Sequence, residues 1–283
     1  MSDGFVLGTL AAISWGLADV FVTYLSRRGG FFRILLISHA GGVAFLVAVA
    51  LALDDVPGPS ATQLLALAGV GAVGLAAYAG FYRALELGPI AIVSPIASSN
   101  GAIVVLLAVL VLGESLTSLQ ALGCLLVFGF VVLAALEPKP APGTERGSGT
   151  PLAVVTAVSF GAYLFGLATL SDDLGWLVPI LVARSVTLAI VAAVAVARPP
   201  PGASLGRLAL LACLGAGMLD ATGYLVFNRG AEVGEVAITS AAAAAYPVIP
   251  ILVGLVALRE RVARHQLVGV AGVLCGMVVL ALG

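Results

Sequence analysis

Charge is scarce in this 283-residue chain: Asp, Glu, Lys and Arg together make up 10%, against roughly a quarter in soluble domains. That is too little polar surface to wrap a water-soluble core of this length, which excludes a soluble enzyme. The formal net charge of −1 offers no field for a polyanion, so nucleic acid is not an expected partner. Cysteine is scarce as well. Cys124, Cys213 and Cys275 fall inside apolar runs, are odd in number, and read as small packing residues and not as a disulfide framework. The two histidines, His39 and His265, lie far apart. No zinc, haem or P-loop signature occurs, so neither metal nor cofactor is expected. The amino end has no basic stretch and no small-residue cleavage site, so the first apolar run reads as a retained helix.

What the chain does have is apolar length. Hydrophobic residues reach 61%, and ten runs approach the 20 or so residues that a membrane helix needs. They lie near 4–24, 33–53, 63–82, 90–112, 118–136, 152–170, 174–197, 206–227, 236–258 and 265–282. The breaks carry Gly, Pro or charge, as at Arg27-Arg28-Gly29-Gly30 and Gly88-Pro89. Barrel strands would be half as long and would alternate in polarity. The expected fold is therefore an all-α polytopic membrane protein.

The chain also repeats. Displaced by 146 residues, Tyr78 falls on Tyr224, Phe81 on Phe227, Arg83 on Arg229, Glu86 on Glu232, Glu114 on Glu260 and Gln120 on Gln266. Near the start the displacement is 145, which sets Ser14 on Ser159, Gly16 on Gly161 and His39 on Arg184. The predicted organisation is a first five-helix repeat over 1–136, a Pro-, Gly- and charge-rich linker over 137–151, and a second repeat over 152–283. Five spans is an odd number, so the repeats must be inverted, an arrangement common in secondary transporters. Loops, numbered by the span they follow, agree: loop 1 is basic and its counterpart carries Asp172-Asp173, while loop 2 carries Asp54-Asp55 and its counterpart is basic. Odd-numbered loops hold Arg27, Arg28, Arg33, Arg83, Lys139, Arg146, Arg198, Arg207, Arg259, Arg261 and Arg264, whereas even-numbered loops hold Arg229. This bias predicts cytoplasmic odd loops and both termini outside, in the inner (plasma) membrane.

Three motifs carry a resemblance. Ser14-Trp15-Gly16 is echoed by Ser159-Phe160-Gly161. The run Tyr82 to Ala91 is echoed by Asn228 to Ala237. Leu112-Gly113-Glu114-Ser115-Leu116 with Gln120 and Gly123 is echoed by Leu258-Arg259-Glu260-Arg261 with Gln266 and Gly269. Over its whole length the chain resembles the EamA-type ten-helix transporters of the drug/metabolite transporter superfamily. That resemblance implies alternating access around a central cavity built mainly from spans 1, 3, 4, 6, 8 and 9, and export of amino acids or other small metabolites. Members more usually have a basic second loop and cytoplasmic termini, and often an Arg where His39 stands here; Arg184 keeps it in the second repeat.

Charges at membrane depth suggest function. Asp19 and Asp220 are the candidate proton-coupling or amine-binding groups, and His39 and Arg184 are structural polar residues. Asp220, Tyr224 and Asn228 share one helix face, as do Tyr78 and Tyr82, and Trp15 with Asp19. Proline and small residues in the fourth and ninth spans predict broken helices at the site, where Ser98, Asn100 and Tyr246 are candidates. Tyr163 in the sixth span completes the substrate-binding set. Glu114 and Glu260 are expected to cap the next helix or bind loop amides. Two buried acids against one base favour an amino acid or amine over a sugar phosphate or nucleotide sugar. The alternatives are an intramembrane enzyme and a channel or scaffold subunit. The expected partners are a small-molecule substrate and the bilayer, and the protein is expected to be a monomer or homodimer.

Overall fold

A computed structural model describes residues 3–53, 56–113, 115–136, 149–199, 205–233, 239, 242–243 and 245–282. Glu114, the Asp54-Asp55 pair, part of the ninth run and most of the 137–151 segment lie outside these residues. All regular structure among the described residues is helical. The helices are α1 (Asp3–Gly29), α2 (Phe31–Leu51), α3 (Ala61–Leu87), α4 (Ile90–Ser98), α5 (Asn100–Leu107), α6 (Ser118–Ala135), α7 (Thr150–Leu174), α8 (Val178–Ala197), α9 (Arg207–Val233), α10 (Val248–Leu252) and α11 (Arg264–Ala281). Nine helical stretches among the described residues are long and apolar enough to cross a membrane, with Ile90–Leu112 counted as one; Val248–Ala257 is a shorter apolar helix in the ninth run. The outward faces are apolar: Leu51, Leu65, Leu125, Val196 and Leu208 are strongly exposed. In water such a surface would aggregate, and hydrocarbon is what covers it.

Helices α1, α3, α7 and α9 run past the predicted apolar runs. Hydropathy falls where charge begins, but a helix stops only where it is broken or capped. The stops here are Gly30 (φ 79°) after α1, Gly88-Pro89 after α3 and Gly175 (φ 66°) after α7. Starts are capped as the sequence pattern requires. The Gln63 amide donates to Ser60 Oγ at 3.3 Å and the Ser60 amide donates to Gln63 Oε1 at 2.9 Å, and Thr117 and Gln120 form the same box. Gln266, the repeat partner of Gln120, accepts from the Ala263 amide at 3.2 Å.

Equivalent contacts recur across the two repeats. A Cβ on Gly16 would lie 2.8 Å from Ile249 Cβ and 2.9 Å from the Tyr246 carbonyl, while one on Gly161 would meet Ile103 and the Asn100 carbonyl. Gly123 packs on Leu280, and Gly269 packs on Ala134 in the same way. These small residues let the helices approach to backbone distance. The fourth and ninth runs break at matching places. Ser99 and Ala102 make i→i−3 bonds to Ile96 and Ser99, and Ala245 and Val248 make them to Ala242 and Ala245. Two inverted five-helix repeats account for all of these pairings.

Candidate functional site

A cavity of about 710 Å³ occupies the centre, within the range of small-molecule sites. Its walls come from α1, α3, α4, α5, α7, α9, Ala243 and Tyr246, with further residues from α6, α8 and α11. At one end it reaches Gln120, Ser171, Trp176, Asn228 and Ala281, which all stand on the even-loop side. On the odd-loop side it stops at Val22, Phe81 and Tyr82, and every residue of α4 is buried.

Ten of the eleven predicted substrate-binding residues line it: Trp15, Asp19, Tyr78, Tyr82, Ser98, Asn100, Asp220, Tyr224, Asn228 and Tyr246. Tyr163 does not. Its ring fills the place left by the missing side chain of Gly74, 6.0 Å from the Tyr78 ring, and is fully buried behind the wall.

A polar cluster of Tyr78, Tyr224, Arg184 and Asp220 stands at the cavity wall. Tyr78 and Tyr224, which are repeat equivalents, meet hydroxyl to hydroxyl at 3.3 Å, as residues beside a pseudo-twofold axis must. Trp15 stands edge-on to Tyr224 with ring centroids 5.2 Å apart, and its counterpart Phe160 stands edge-on to Tyr78 at 4.9 Å. Symmetry ends at the charges. Arg184 is 1% exposed and donates from Nη2 to both Asp220 Oδ2 and the Tyr78 hydroxyl. Its counterpart His39 carries its ring 4.6 Å from the Tyr78 ring, with Nδ1 3.1 Å from the Leu35 carbonyl. Both predicted structural residues therefore converge on Tyr78 from opposite repeats. Trp15 Nε1 donates to the Asp220 carbonyl at 3.2 Å and ties α1 to α9.

Asp19 is set differently. It is buried on α1, lines the cavity, and accepts from Ser94 Oγ of α4. Among the described residues no Lys or Arg pairs with it. Trp15, one turn earlier, also faces Tyr246 at 5.9 Å and Phe227 at 5.8 Å. The site thus joins one carboxylate without a cationic partner, a neutralised Asp220–Arg184 pair and an aromatic wall. Tyr82 shares a hydrogen bond with Ser38 Oγ at 3.0 Å. Ser98 Oγ donates to the Pro95 carbonyl at 2.8 Å and Asn100 Nδ2 to the Ala97 carbonyl at 3.0 Å, both beside the helix break.

Sequence reasoning passed over Phe160, Gln120, Ser94 and Trp176. Phe160 was legible as the counterpart of Trp15, and Gln120 as a repeat match. Nothing in the spacing marks Ser94 as the partner of Asp19, or Trp176 in a loop as a wall residue.

A multi-pass, all-helical membrane protein with a central cavity between inverted repeats is the class that fold and site define. The profile of the EamA-like transporter family matches residues 3–136 and 147–282. The chain belongs to that family, within the drug/metabolite transporter superfamily, whose members carry small molecules across membranes. One solved crystal structure of a protein superposes with a TM-score of 0.64 at 20% identity, over 98% of this chain and 95% of that one. At that identity the likeness is one of fold. None of the curated proteins matches the chain.

Proposed function

We propose that the protein is a secondary transporter that exports amino acids or amines by alternating access. The observation that carries this reading is the contrast between the two cavity carboxylates. Arg184 neutralises Asp220, whereas Asp19 faces the cavity with Ser94 alone as side-chain partner. A carboxylate in such a place calls for a cation, either a substrate ammonium or a proton. Trp15, Tyr224 and Tyr246 add aromatic surface beside it, suited to an amine by cation–π attraction. A sugar phosphate would meet Asp19 as a repulsive charge and find the nearby guanidinium engaged. Asp220 is the second proton-coupling group, its exchange governed by its ion pair. Tyr78, Tyr82, Ser98, Asn100, Asn228 and the buried Tyr163 shape and brace the site.

The unit of transport is one chain, divided as 1–136, a linker over 137–151, and 152–283; one cavity needs no second copy. The excess of Arg in odd-numbered loops supports an inner-membrane protein with both termini outside, so the even-loop end that the cavity reaches is the outer one. Solute counterflow in proteoliposomes, over a panel of amino acids, amines, nucleosides and sugar phosphates, tests the proposal. The expected result is saturable exchange of amino acids or amines that Asp19→Asn abolishes. Exchange of sugar phosphates instead, or amine exchange untouched by Asp19→Asn, refutes the substrate assignment.

A further inference from the structure

We infer that Arg27 and Glu260 form a latch that holds the odd-loop face of the cavity shut, and that this latch opens during the transport cycle proposed above. The Glu260 carboxylate lies in the loop before α11 but reaches the other repeat. It caps α4 and not the helix that follows it. Its Oε1 accepts from the Ile90 amide and its Oε2 from the Ala91 amide, both at 3.1 Å. Those two N–H groups open α4, where a helix favours negative charge. Arg27, in the last turn of α1, donates from Nη2 to Glu260 Oε1 at 2.7 Å. The same guanidinium donates to the Leu85 carbonyl at 3.1 Å and the Gly88 carbonyl at 2.6 Å. One ion pair therefore ties the ends of α1 and α3, the start of α4 and the loop before α11.

The backbone is bent to deliver this carboxylate. After α10 the chain closes a π turn over Val253–Ala257, and the Glu260 amide donates to the Gly254 carbonyl at 2.9 Å. Arg259 sits at φ 52°, the one non-glycine residue at positive φ among those described. That conformation is costly for a residue with a Cβ. A Cβ on Gly254 would lie 2.6 Å from Glu260 Oε2, so the bare glycine admits the carboxylate. The first repeat has the same π turn over Ala108–Leu112, closed by Gly113 at φ 72°. Arg27 has no such echo, because its repeat counterpart is Asp172. The ion pair is thus a device of one face.

Its position suits a gate. The cavity ends at Val22, Phe81 and Tyr82, and between these and the odd-loop surface stands the fully buried α4. A solute leaving that way requires the start of α4 to part from α1 and α3, the segments that the latch joins. Such a parting moves helices within the first repeat and draws the start of α4 away from the Arg27–Glu260 pair, and charge-assisted hydrogen bonds are the contacts it must break.

Paired spin labels test the latch without a substrate, so its failure is distinct from failure of the transporter reading. In a chain lacking its three cysteines, labels at Arg28→Cys and Arg261→Cys, both exposed positions, report the odd-face separation in nanodiscs. The parent should give mainly one short distance. Arg27→Ala and Glu260→Gln should each move population to a longer distance, raising the open-to-closed ratio about tenfold, as expected for the loss of one such contact. An unchanged distance distribution in the folded variants overturns the latch, and so does a lowered melting temperature without a change in distance. If Glu260→Gln does not fold, Arg27→Ala decides alone, since it leaves the cap on α4 in place.

Discussion

Removing Asp220 should harm the protein more than removing Arg184, although they are partners. The pair is unequally buried: the Arg184 side chain is 2% exposed and that of Asp220 19%. Asp220→Asn leaves a guanidinium inside the bundle with Tyr78 as its side-chain hydrogen-bond partner. Stranding a buried charge in this way costs about 3–5 kcal/mol. Arg184→Met leaves instead a carboxylate at the cavity wall, where water reaches it, and the methionine fills much of the vacated volume; about 1–2 kcal/mol is expected, the loss of one charged hydrogen bond. The double variant removes both charges and should recover most of the difference, because an apolar replacement of a buried pair is often nearly neutral. In detergent, Asp220→Asn should lower the melting temperature by roughly 10 °C, and adding Arg184→Met should raise it again. Additive losses in the double variant, or a larger loss from Arg184→Met than from Asp220→Asn, would refute the reasoning. Such a result would mean that Asp220 answers to the cavity and not to Arg184.

Three further outcomes follow from contacts described above. Arg259→Gly matches the second repeat to Gly113 and relieves the positive φ, so thermal unfolding should rise by an amount equivalent to about 1 kcal/mol. Gly16→Val and Gly161→Val drive a side chain into Ile249 and Ile103 respectively; each should cost about 1–3 kcal/mol, seen as a fall in melting temperature of similar size for both. Trp15→Ala removes the aromatic edge beside Asp19 and should raise the KM of amine exchange about tenfold with little change in kcat, measured by counterflow.

Much of the site was legible because the repeat writes its important residues twice. Tyr78 and Tyr224 stand out as matched tyrosines, and the matched weak points at Ser99 and Ala245 follow from Pro95, Pro247 and the small residues around them. Asp19, Asp220 and Arg184 stand out because charge is rare at that depth. Tyr163 reads in sequence as another cavity tyrosine, but Gly74 opens a slot behind the wall that the ring fills. That slot is a property of two helices together. The helix ends beyond the apolar runs were hidden for a related reason: hydropathy marks where lipid ends, and caps and glycines mark where helices end.

Membrane residence, all-helical class, two inverted repeats and the polar residues at membrane depth were decided by the amino-acid sequence alone. Each depends on composition or on spacing along one chain, and the bilayer makes those local quantities decisive because every apolar run must span it and every backbone amide must bond within its own helix. The pairing of Arg184 with Asp220, the exposure of Asp19 to the cavity, the meeting of Tyr78 with Tyr224 and the grip of Glu260 on α4 were decided only by the tertiary structure. Two of these join residues from opposite repeats, 146 and 170 positions apart, and Arg184 and Asp220, within one repeat, stand on different helices 36 positions apart. Which face of each helix meets which neighbour is set by close packing across the pseudo-twofold axis, and no spacing within a single helix encodes it.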